Sequence, residues 1–219
     1  MKLYYPVRNP INPNNPFGRE DPMYTALGQK GHPGVDFECP SGTPVYSPCD
    51  GAAFYATDKE GGCGLYIRTP DTPYPTDNII LWHMYPRGTP GFPYAINVED
   101  GVVTDVKAGQ LLGYSDNSGY PAESTASHLH MGKMPIGRNE LAVDPHNGYL
   151  GCVDPMPFFN GLFAEDISGL HEDIVSAISA TTAAVQSVQQ AQVPIEQKQQ
   201  FLATIEKVVK ELLQDIQSL

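Results

Sequence analysis

Residues 127–132 have the sequence Ser-His-Leu-His-Met-Gly, in which polar and apolar side chains alternate. A period of two predicts a β-strand with one buried face, because successive side chains point to opposite faces. His128 and His130 then project from one face, while Leu129 and Met131 face the core. Two adjacent imidazoles suit either double metal ligation or one ligand beside one proton carrier. A polar face on an exposed strand is the alternative interpretation at this point.

Six further short segments have the composition of strands and are separated by turn-forming pairs such as Asp50-Gly51 and Gly61-Gly62. With the first strand, the candidates are residues 35–37, 44–47, 52–56, 65–68, 79–83, 110–114 and 128–132. No long segment before residue 165 has helical periodicity, which argues against a parallel sheet with crossover helices. The sequence therefore predicts a mainly β fold with a compact antiparallel sheet. Residues 69–78 and 86–106 are expected to form loops or short hairpins that frame a groove.

The composition changes near residue 165. The chain contains 21 Gly and 21 Pro, but only Gly169 and Pro194 lie beyond that point. Apolar residues there recur at spacings of three and four, which predicts two amphipathic helices over about 165–192 and 194–219. We therefore expect a first domain over residues 1–164 and a C-terminal α-helical hairpin over residues 165–219. The predicted stripes are Ile167, Leu170, Ile174, Ile178, Thr181, Val185 and Val188, then Leu202, Ile205, Val209, Leu212, Ile216 and Leu219.

A lone helical hairpin leaves one side of its apolar stripes in water. We therefore expect it to dock on the first domain or on the hairpin of another copy. Plain aliphatic stripes are packing surfaces far more often than cofactor sites, so a homo-oligomer formed through the C-terminal helices is favoured.

The net charge excludes two classes of partner. With 13 Lys and Arg against 25 Asp and Glu, the formal charge is −12, which repels nucleic-acid phosphates and anionic membrane surfaces. No run approaches the roughly 20 apolar residues that span a bilayer. The N-terminus has no apolar segment typical of a signal peptide. The four cysteines show no C-x-x-C spacing, so we expect buried free thiols.

Two more segments carry residues capable of metal or proton chemistry. His32 and Asp36 lie four positions apart, where Pro33 and Gly34 make a helix improbable and a loop entering a strand is favoured. His83 ends the apolar segment 79–82. By alternation it shares a face with the core residues of that strand, so a neutral core histidine is the alternative to a role in chemistry.

One zinc ion accounts for these residues together. Catalytic zinc takes three nitrogen or oxygen ligands from the protein and keeps a further position open. His32, Asp36 and His130 supply such a set, and His128 and His83 remain as unligated imidazoles that can handle protons and stabilise charge.

The order and context of these residues resemble the lysostaphin and LytM-like zinc metallopeptidases, the M23 family. The resemblance is carried by an H-x-x-x-D motif (His32–Asp36), an H-x-H motif (His128–His130) and the intervening His83. The flanking segments 17–19, 41–45, 50–51 and 106–114 match as well. The resemblance extends over about residues 12–160. Two segments depart from the usual family sequence: residues 81–84 are Leu-Trp-His-Met where relatives usually have Tyr-Ala-His-Leu, and residues 131–133 are Met-Gly-Lys where relatives often have Phe-Glu after the H-x-H motif.

The resemblance implies a LytM-like β domain with a groove, and one Zn²⁺ per chain held by His32, Asp36 and His130. It implies hydrolysis of peptide bonds in bacterial peptidoglycan, in the stem peptide or the cross-bridge. In that chemistry we expect His128 to move the proton of water to the leaving amine, and His83 to donate a hydrogen bond to the developing oxyanion. The two roles can be exchanged.

Two alternatives to a zinc endopeptidase remain. One is a non-catalytic M23-like binding or regulatory module, and the other is a structural virion component assembled through the helical tail. The presence of all five candidate site residues favours the enzyme. Because no signal peptide is visible, we expect a phage lysin or virion-associated lysin that acts at the bacterial cell wall.

Overall fold

The structure, a computed structural model, describes residues 2–70, 76–190 and 194–218. Its contacts divide the chain into a unit of residues 1–168 and a unit of residues 169–219. In chain order its elements are β1 (Leu3–Tyr5), α1 (Pro22–Ala26), β2 (Gly34–Phe37), β3 (Pro44–Tyr46), β4 (Gly51–Thr57), β5 (Cys63–Arg68), β6 (Thr76–Trp82), β7 (Thr104–Val106), β8 (Leu111–Tyr114), β9 (Leu129–Ile136), β10 (Phe159–Phe163), α2 (Ala164–Gln190) and α3 (Ile195–Ser218).

A six-stranded antiparallel sheet in the order β2-β9-β6-β5-β4-β7 forms the centre of the first unit. A second, two-stranded antiparallel sheet joins β3 and β8. These observations confirm the mainly β, antiparallel fold and the C-terminal helices. One pair was not predicted: β1 pairs with β10 in parallel. These strands of three and five residues are too short for periodicity to reveal.

The two faces of the large sheet differ: one is buried in the core, and the other carries the candidate site residues. One face forms the core, where six side chains of the three central strands are fully buried: Leu65, Ile67, Ile79, Leu81, Leu129 and Met131. The register of the opposite face sets residues of five strands side by side. Asp36 on β2 lies opposite His130 on β9, which lies opposite Trp82 on β6. The row continues through Gly64 on β5 to Ala56 on β4.

The expectation that residues 86–106 frame the groove was wrong. Ile96 and Val98 in this segment are buried in the hydrophobic core, and Tyr94 packs against it. None of the described residues of this segment lines the groove. The segment is loop and turn up to the start of β7 at Thr104, as expected, but its apolar side chains are buried in the core instead of lining the groove. The segment 69–78 also differs, since β6 starts at Thr76; residues 71–75 lie outside the described residues.

The second unit contains the helical hairpin formed by most of α2 and by α3. Pro194 directly precedes α3, and the Lys198 ammonium donates a hydrogen bond to the carbonyl oxygen of Gln189 across the turn, at 2.9 Å. The predicted stripe positions Leu170, Ile174, Leu212, Ile216 and Leu219 lie outside the described side chains. Of the described stripe residues, Ile178, Leu202 and Val209 are exposed.

Two other expectations concern the whole chain. Cys39, Cys49, Cys63 and Cys152 are buried and unpaired, as expected. Among the described helices, none combines the length and the hydropathy needed to cross a bilayer.

Candidate metal centre

Three polar atoms converge at the edge of the sheet where β2 pairs with β9. His32 Nε2 lies 2.9 Å from His130 Nδ1 and 3.2 Å from Asp36 Oδ1, and His130 Nδ1 lies 3.0 Å from the same Asp36 oxygen. The antiparallel register sets Asp36 opposite His130, while His32 comes from the loop that enters β2. Residues up to 98 positions apart in the chain therefore present three donor atoms to one point.

The protonation states of these groups fit a metal ion. The Nδ1 atom of His32 lies 3.0 Å from the carbonyl oxygen of Asn15, to which it must donate, so the lone pair is on Nε2. Burial lowers the pKa of His130 and keeps it neutral. Burial alone would raise the pKa of Asp36, but the hydrogen bonds and charges of His130 and His32 in their protonated forms outweigh it and hold that pKa well below its ordinary value. Two neutral imidazoles and a carboxylate are the forms that bind metal.

The spacing of the three atoms also fits one ion. Ligands about 2.1 Å from a tetrahedral zinc ion lie about 3.4 Å from each other, close to the separations found here. His32 and Asp36 are buried, which limits competing ligation by water. Two nitrogen atoms and one carboxylate oxygen are ligands suited to Zn²⁺, so these residues could hold it.

His83 and His128 lie beside this cluster but contribute differently. Their rings are 4.5 Å apart between centroids, and His128 Nε2 is 3.6 Å from Asp36 Oδ1. Each donates its Nδ1 hydrogen to a backbone carbonyl oxygen at 2.7 Å, His83 to Ser118 and His128 to Ala126. In the neutral form of either ring, the lone pair is consequently on Nε2.

The position of His83 differs from the simple strand pattern. Alternation would place it on the core face with Leu81, but β6 ends at Trp82 and His83 has a left-handed backbone with φ of 63°. This turn brings the imidazole to the groove side. Burial, followed by the charges of His128 and His130, lowers the pKa of His83 to about 3. His83 is therefore a neutral proton acceptor at physiological pH.

The short segment 115–118 holds the two imidazoles together. The backbone N–H of Asp116 donates to the carbonyl oxygen of His83 at 2.7 Å, and the N–H of His128 donates to the carbonyl oxygen of Asp116 at 3.4 Å. This segment thus connects the end of β6 with the start of β9. His146 is exposed in a loop away from the groove, and the side chain of His171 lies outside the described residues.

A groove of about 860 Å³ runs from the cluster across the exposed face of the sheet. Trp82 lies next to His130 on its floor, since cross-strand neighbours have Cβ atoms about 5 Å apart. Beyond Trp82 the floor continues with Tyr66, whose ring stacks on that of Phe54 at 5.4 Å between centroids. An extended chain several residues long can therefore lie across the strands on an aromatic surface.

Two acidic side chains, Asp58 and Glu123, line one side of the groove, and Glu60 lies beside them. Asp58, Glu60 and Glu123 bring carboxylate oxygens within 4.8 Å of one another. Burial, together with the hydrogen bond to Asp58 and its charge, raises the pKa of Glu123 to about 7. The Trp82 indole N–H donates to Glu123 at 3.4 Å.

The sequence reasoning did not find these acids or Asn15. They come from three loops, since Asp58 and Glu60 share the turn between β4 and β5, and no motif spacing in the sequence joins these loops. In the sequence, Trp82 differs from the usual residue of the M23 motif around His83, but nothing there indicates its position on the groove floor.

No family model matches the chain. Solved structures that resemble it include a protein from Pseudomonas aeruginosa described as an M23 peptidase, with 18% identity and a TM-score of 0.46 over 72% of this chain and 50% of that one. LytU shows 25% identity and a TM-score of 0.42 over 72% and 83%. A zinc-containing peptidase from Vibrio cholerae shows 23% identity and a TM-score of 0.40 over 61% and 36%. This chain thus spans about half the length of the Pseudomonas protein, and less of the Vibrio one.

Proposed function

We propose that the chain is an M23-type endopeptidase that hydrolyses peptide bonds in bacterial peptidoglycan, with one zinc ion per chain. The observation that carries the proposal is the convergence of His32, Asp36 and His130 beside two imidazoles with free Nε2 atoms. Metal ligands alone would suit a structural site. Unligated proton acceptors at the edge of an open groove are what a hydrolytic site requires in addition.

In this proposal His32, Asp36 and His130 hold the metal. The zinc ion supplies Lewis acidity, which polarises a carbonyl group and makes water a stronger acid. The Asp36 carboxylate contributes one negative charge to the balance of the site. The low exposure of these ligands keeps the local dielectric constant low, and this strengthens the attraction of charge that develops on a substrate oxygen.

Proton transfer falls to His128 and His83. We assign to His128 the acceptance of the proton of the attacking water at Nε2, because this atom lies 3.6 Å from Asp36 Oδ1 and the ring is the more exposed of the two. The same atom then donates the proton to the leaving amine. His83 can donate a hydrogen bond to the developing oxyanion from Nε2 only after it has received a proton. Its neutral state therefore also allows it to act as the acceptor.

The test is mass spectrometry of the muropeptides that the purified protein releases from defined cell walls, with and without a chelator. The expected result is a set of newly cleaved peptide bonds that disappears with the chelator and returns when zinc is added back. Release that is insensitive to the chelator contradicts the metal mechanism. The absence of peptide cleavage by zinc-loaded protein, on walls from several species, contradicts the endopeptidase itself.

A non-catalytic binding or regulatory module is the first rival. It would bind peptidoglycan in the groove without cleaving it, and loss of a ligand would be its expected mark. The presence of all five site residues favours the enzyme. We further propose action at the cell wall as a phage or virion-associated lysin, which fractionation of purified particles would test through activity that sediments with them.

The helical hairpin favours a role in assembly, the second rival function. On α3, Phe201 and Val208 lie seven positions apart and are 39% and 49% exposed. Residues 176–190 of α2 contain no charged side chain, and residues 194–210 contain two acidic and three basic ones. These two segments together therefore carry a nearly balanced charge, while residues 169–219 as a whole contain six acidic and three basic side chains. We propose that hairpins of two copies pack together and bury these apolar side chains.

Size-exclusion chromatography with light scattering on the full chain tests this assembly. The wild type should be a dimer or a larger oligomer at micromolar concentration. The double variant Phe201→Glu/Val208→Glu should be a monomer, and the exposed Gln199→Glu on the same helix should behave as the wild type. A monomeric wild type would rule out self-association through the tail.

A further inference from the structure

Asn15 contacts two of the three ligand side chains at once. Its backbone carbonyl oxygen accepts the Nδ1 hydrogen of His32 at 3.0 Å. Its side-chain amide donates to Asp36 Oδ2, the oxygen that does not face the imidazoles. The residue comes from the loop before α1, 17 positions ahead of His32 and 21 ahead of Asp36.

The orientation of the Asn15 amide is fixed by its neighbours. Its Oδ1 atom accepts hydrogen bonds from the Tyr24 hydroxyl at 3.2 Å and from the Arg19 guanidinium at 3.3 Å. Both are donors, so the oxygen must face them and the NH₂ group must face the Asp36 carboxylate. Tyr24 itself is fixed, because its ring stacks on that of His32 at 5.4 Å between centroids and is buried.

These contacts act on the donor atoms of the cluster. The carbonyl contact keeps the hydrogen of His32 on Nδ1. The lone pair on Nε2 is then directed towards the candidate metal-ligating atoms of Asp36 and His130. The amide contact occupies one oxygen of Asp36 and directs the other towards His130 Nδ1, at 3.0 Å. Without the amide, the Asp36 side chain could rotate and lose this arrangement, which would cost rotamer entropy when a metal binds.

We propose that Asn15 is a positioning residue that sets the metal affinity of the site by orienting Asp36 and His32 before the metal binds. This inference rests on the metal centre of the proposed function, but not on the hydrolysis of any substrate. Asn15 touches no reacting atom and acts through the two ligands. Partners of ligands typically change metal affinity by about 10–100-fold when they are removed.

The experiment measures the dissociation constant for Zn²⁺ by competition with a chromophoric chelator, together with the melting temperature of the metal-free protein. Asn15→Leu keeps the approximate size of the side chain but removes its amide. We expect a loss of affinity of about 10–100-fold. Tyr24→Phe removes only the hydroxyl that orients the amide, so its affinity should fall in the same direction by less. The neighbouring exposed Asn14→Leu is the matched control and should bind zinc as the wild type does.

An unchanged zinc affinity of the folded Asn15→Leu protein would overturn the proposal. If the melting temperature of the metal-free variant is lower at the same time, Asn15 is a merely structural residue. A wild type that binds zinc but cleaves no peptidoglycan would refute the proposed endopeptidase and leave the role of Asn15 standing. Tyr24→Phe keeps the test decisive if Asn15→Leu does not fold.

Discussion

Gly34 and His130 lie so close together that only glycine fits at position 34. A Cβ atom there would be 2.8 Å from Cε1 of His130 and 2.3 Å from the carbonyl oxygen of Met131. Its partner in the register, Gly132, is different, because a Cβ there would meet no atom closer than 3.4 Å.

Gly34→Ala should therefore weaken zinc binding while Gly132→Ala should not. The alanine methyl must push β2 away from β9, and this separates Asp36 from His130. We expect a loss of zinc affinity of at least about tenfold, the size that displaced ligand partners produce. Chelator competition on both variants measures it. Equal affinities for the two alanine variants would show that the approach of Gly34 does not set the ligand geometry.

His130→Ala and His128→Ala should fail in different ways. His130 is a proposed ligand, so its removal should reduce both the zinc content and the hydrolysis of peptidoglycan. His128 is a proposed proton carrier, so its removal should leave zinc bound and lower kcat by about 10²–10⁴-fold. Metal analysis of the purified proteins and turnover assays test the two together. Substantial hydrolysis by either variant would refute the corresponding assignment.

Glu123→Gln should change how stability depends on pH. The pKa of Glu123 is raised from 4.5 to about 7, first by burial and then by Asp58. The folded protein thus holds this proton more tightly than the unfolded chain. Its contribution is fully present below pH 4.5 and is lost as the pH rises through about 7.

Thermal unfolding at pH 5 and pH 8 measures that dependence. The wild type should lose more stability between the two pH values than Glu123→Gln, because the amide carries no titrating proton. The exposed Glu20→Gln serves as the control and should follow the wild type. A variant whose pH dependence matches that of the wild type would show that Glu123 does not titrate in this range.

Asp77→Ala should destabilise the fold strongly. The ammonium of Lys133 contacts the Asp77 carboxylate, both side chains are nearly inaccessible, and the Phe158 ring lies 4.1 Å from the Lys133 nitrogen. Removing one partner leaves a buried charge without a counterion, which costs about 3–5 kcal/mol. Urea unfolding should show this loss, and Asp77→Leu/Lys133→Met should recover most of it. A loss below about 1 kcal/mol in Asp77→Ala would indicate that water replaces the missing carboxylate.

Local patterns explain which parts of the fold could be predicted. Alternation in 127–132 predicts the burial of Leu129 and Met131, because a half-buried strand imposes that period on its own sequence. The proximity of His32 and Asp36 to His130 was inferred from the ligands that zinc requires and from the resemblance to the M23 motifs. The structure places these three side chains together; the functions assigned to them, and to His83 and His128, remain predictions.

Long-range contacts explain what could not be predicted. Pairing of β1 with β10 depends on the whole intervening fold. The cluster of Asp58, Glu60 and Glu123 and the contacts of Asn15 join loops whose spacing carries no period. The groove side of His83 depends on a single backbone angle at the end of β6, which strand alternation does not anticipate.

That backbone angle has a consequence for sequence change at position 83. A left-handed conformation with φ of 63° suits glycine better than histidine, and such positions typically cost a non-glycine residue about 1 kcal/mol or more. Selection for thermostability alone would therefore drive this site away from histidine, whereas selection for chemistry would retain it. Substitutions of His83 that raise the melting temperature of the protein should therefore lower its turnover.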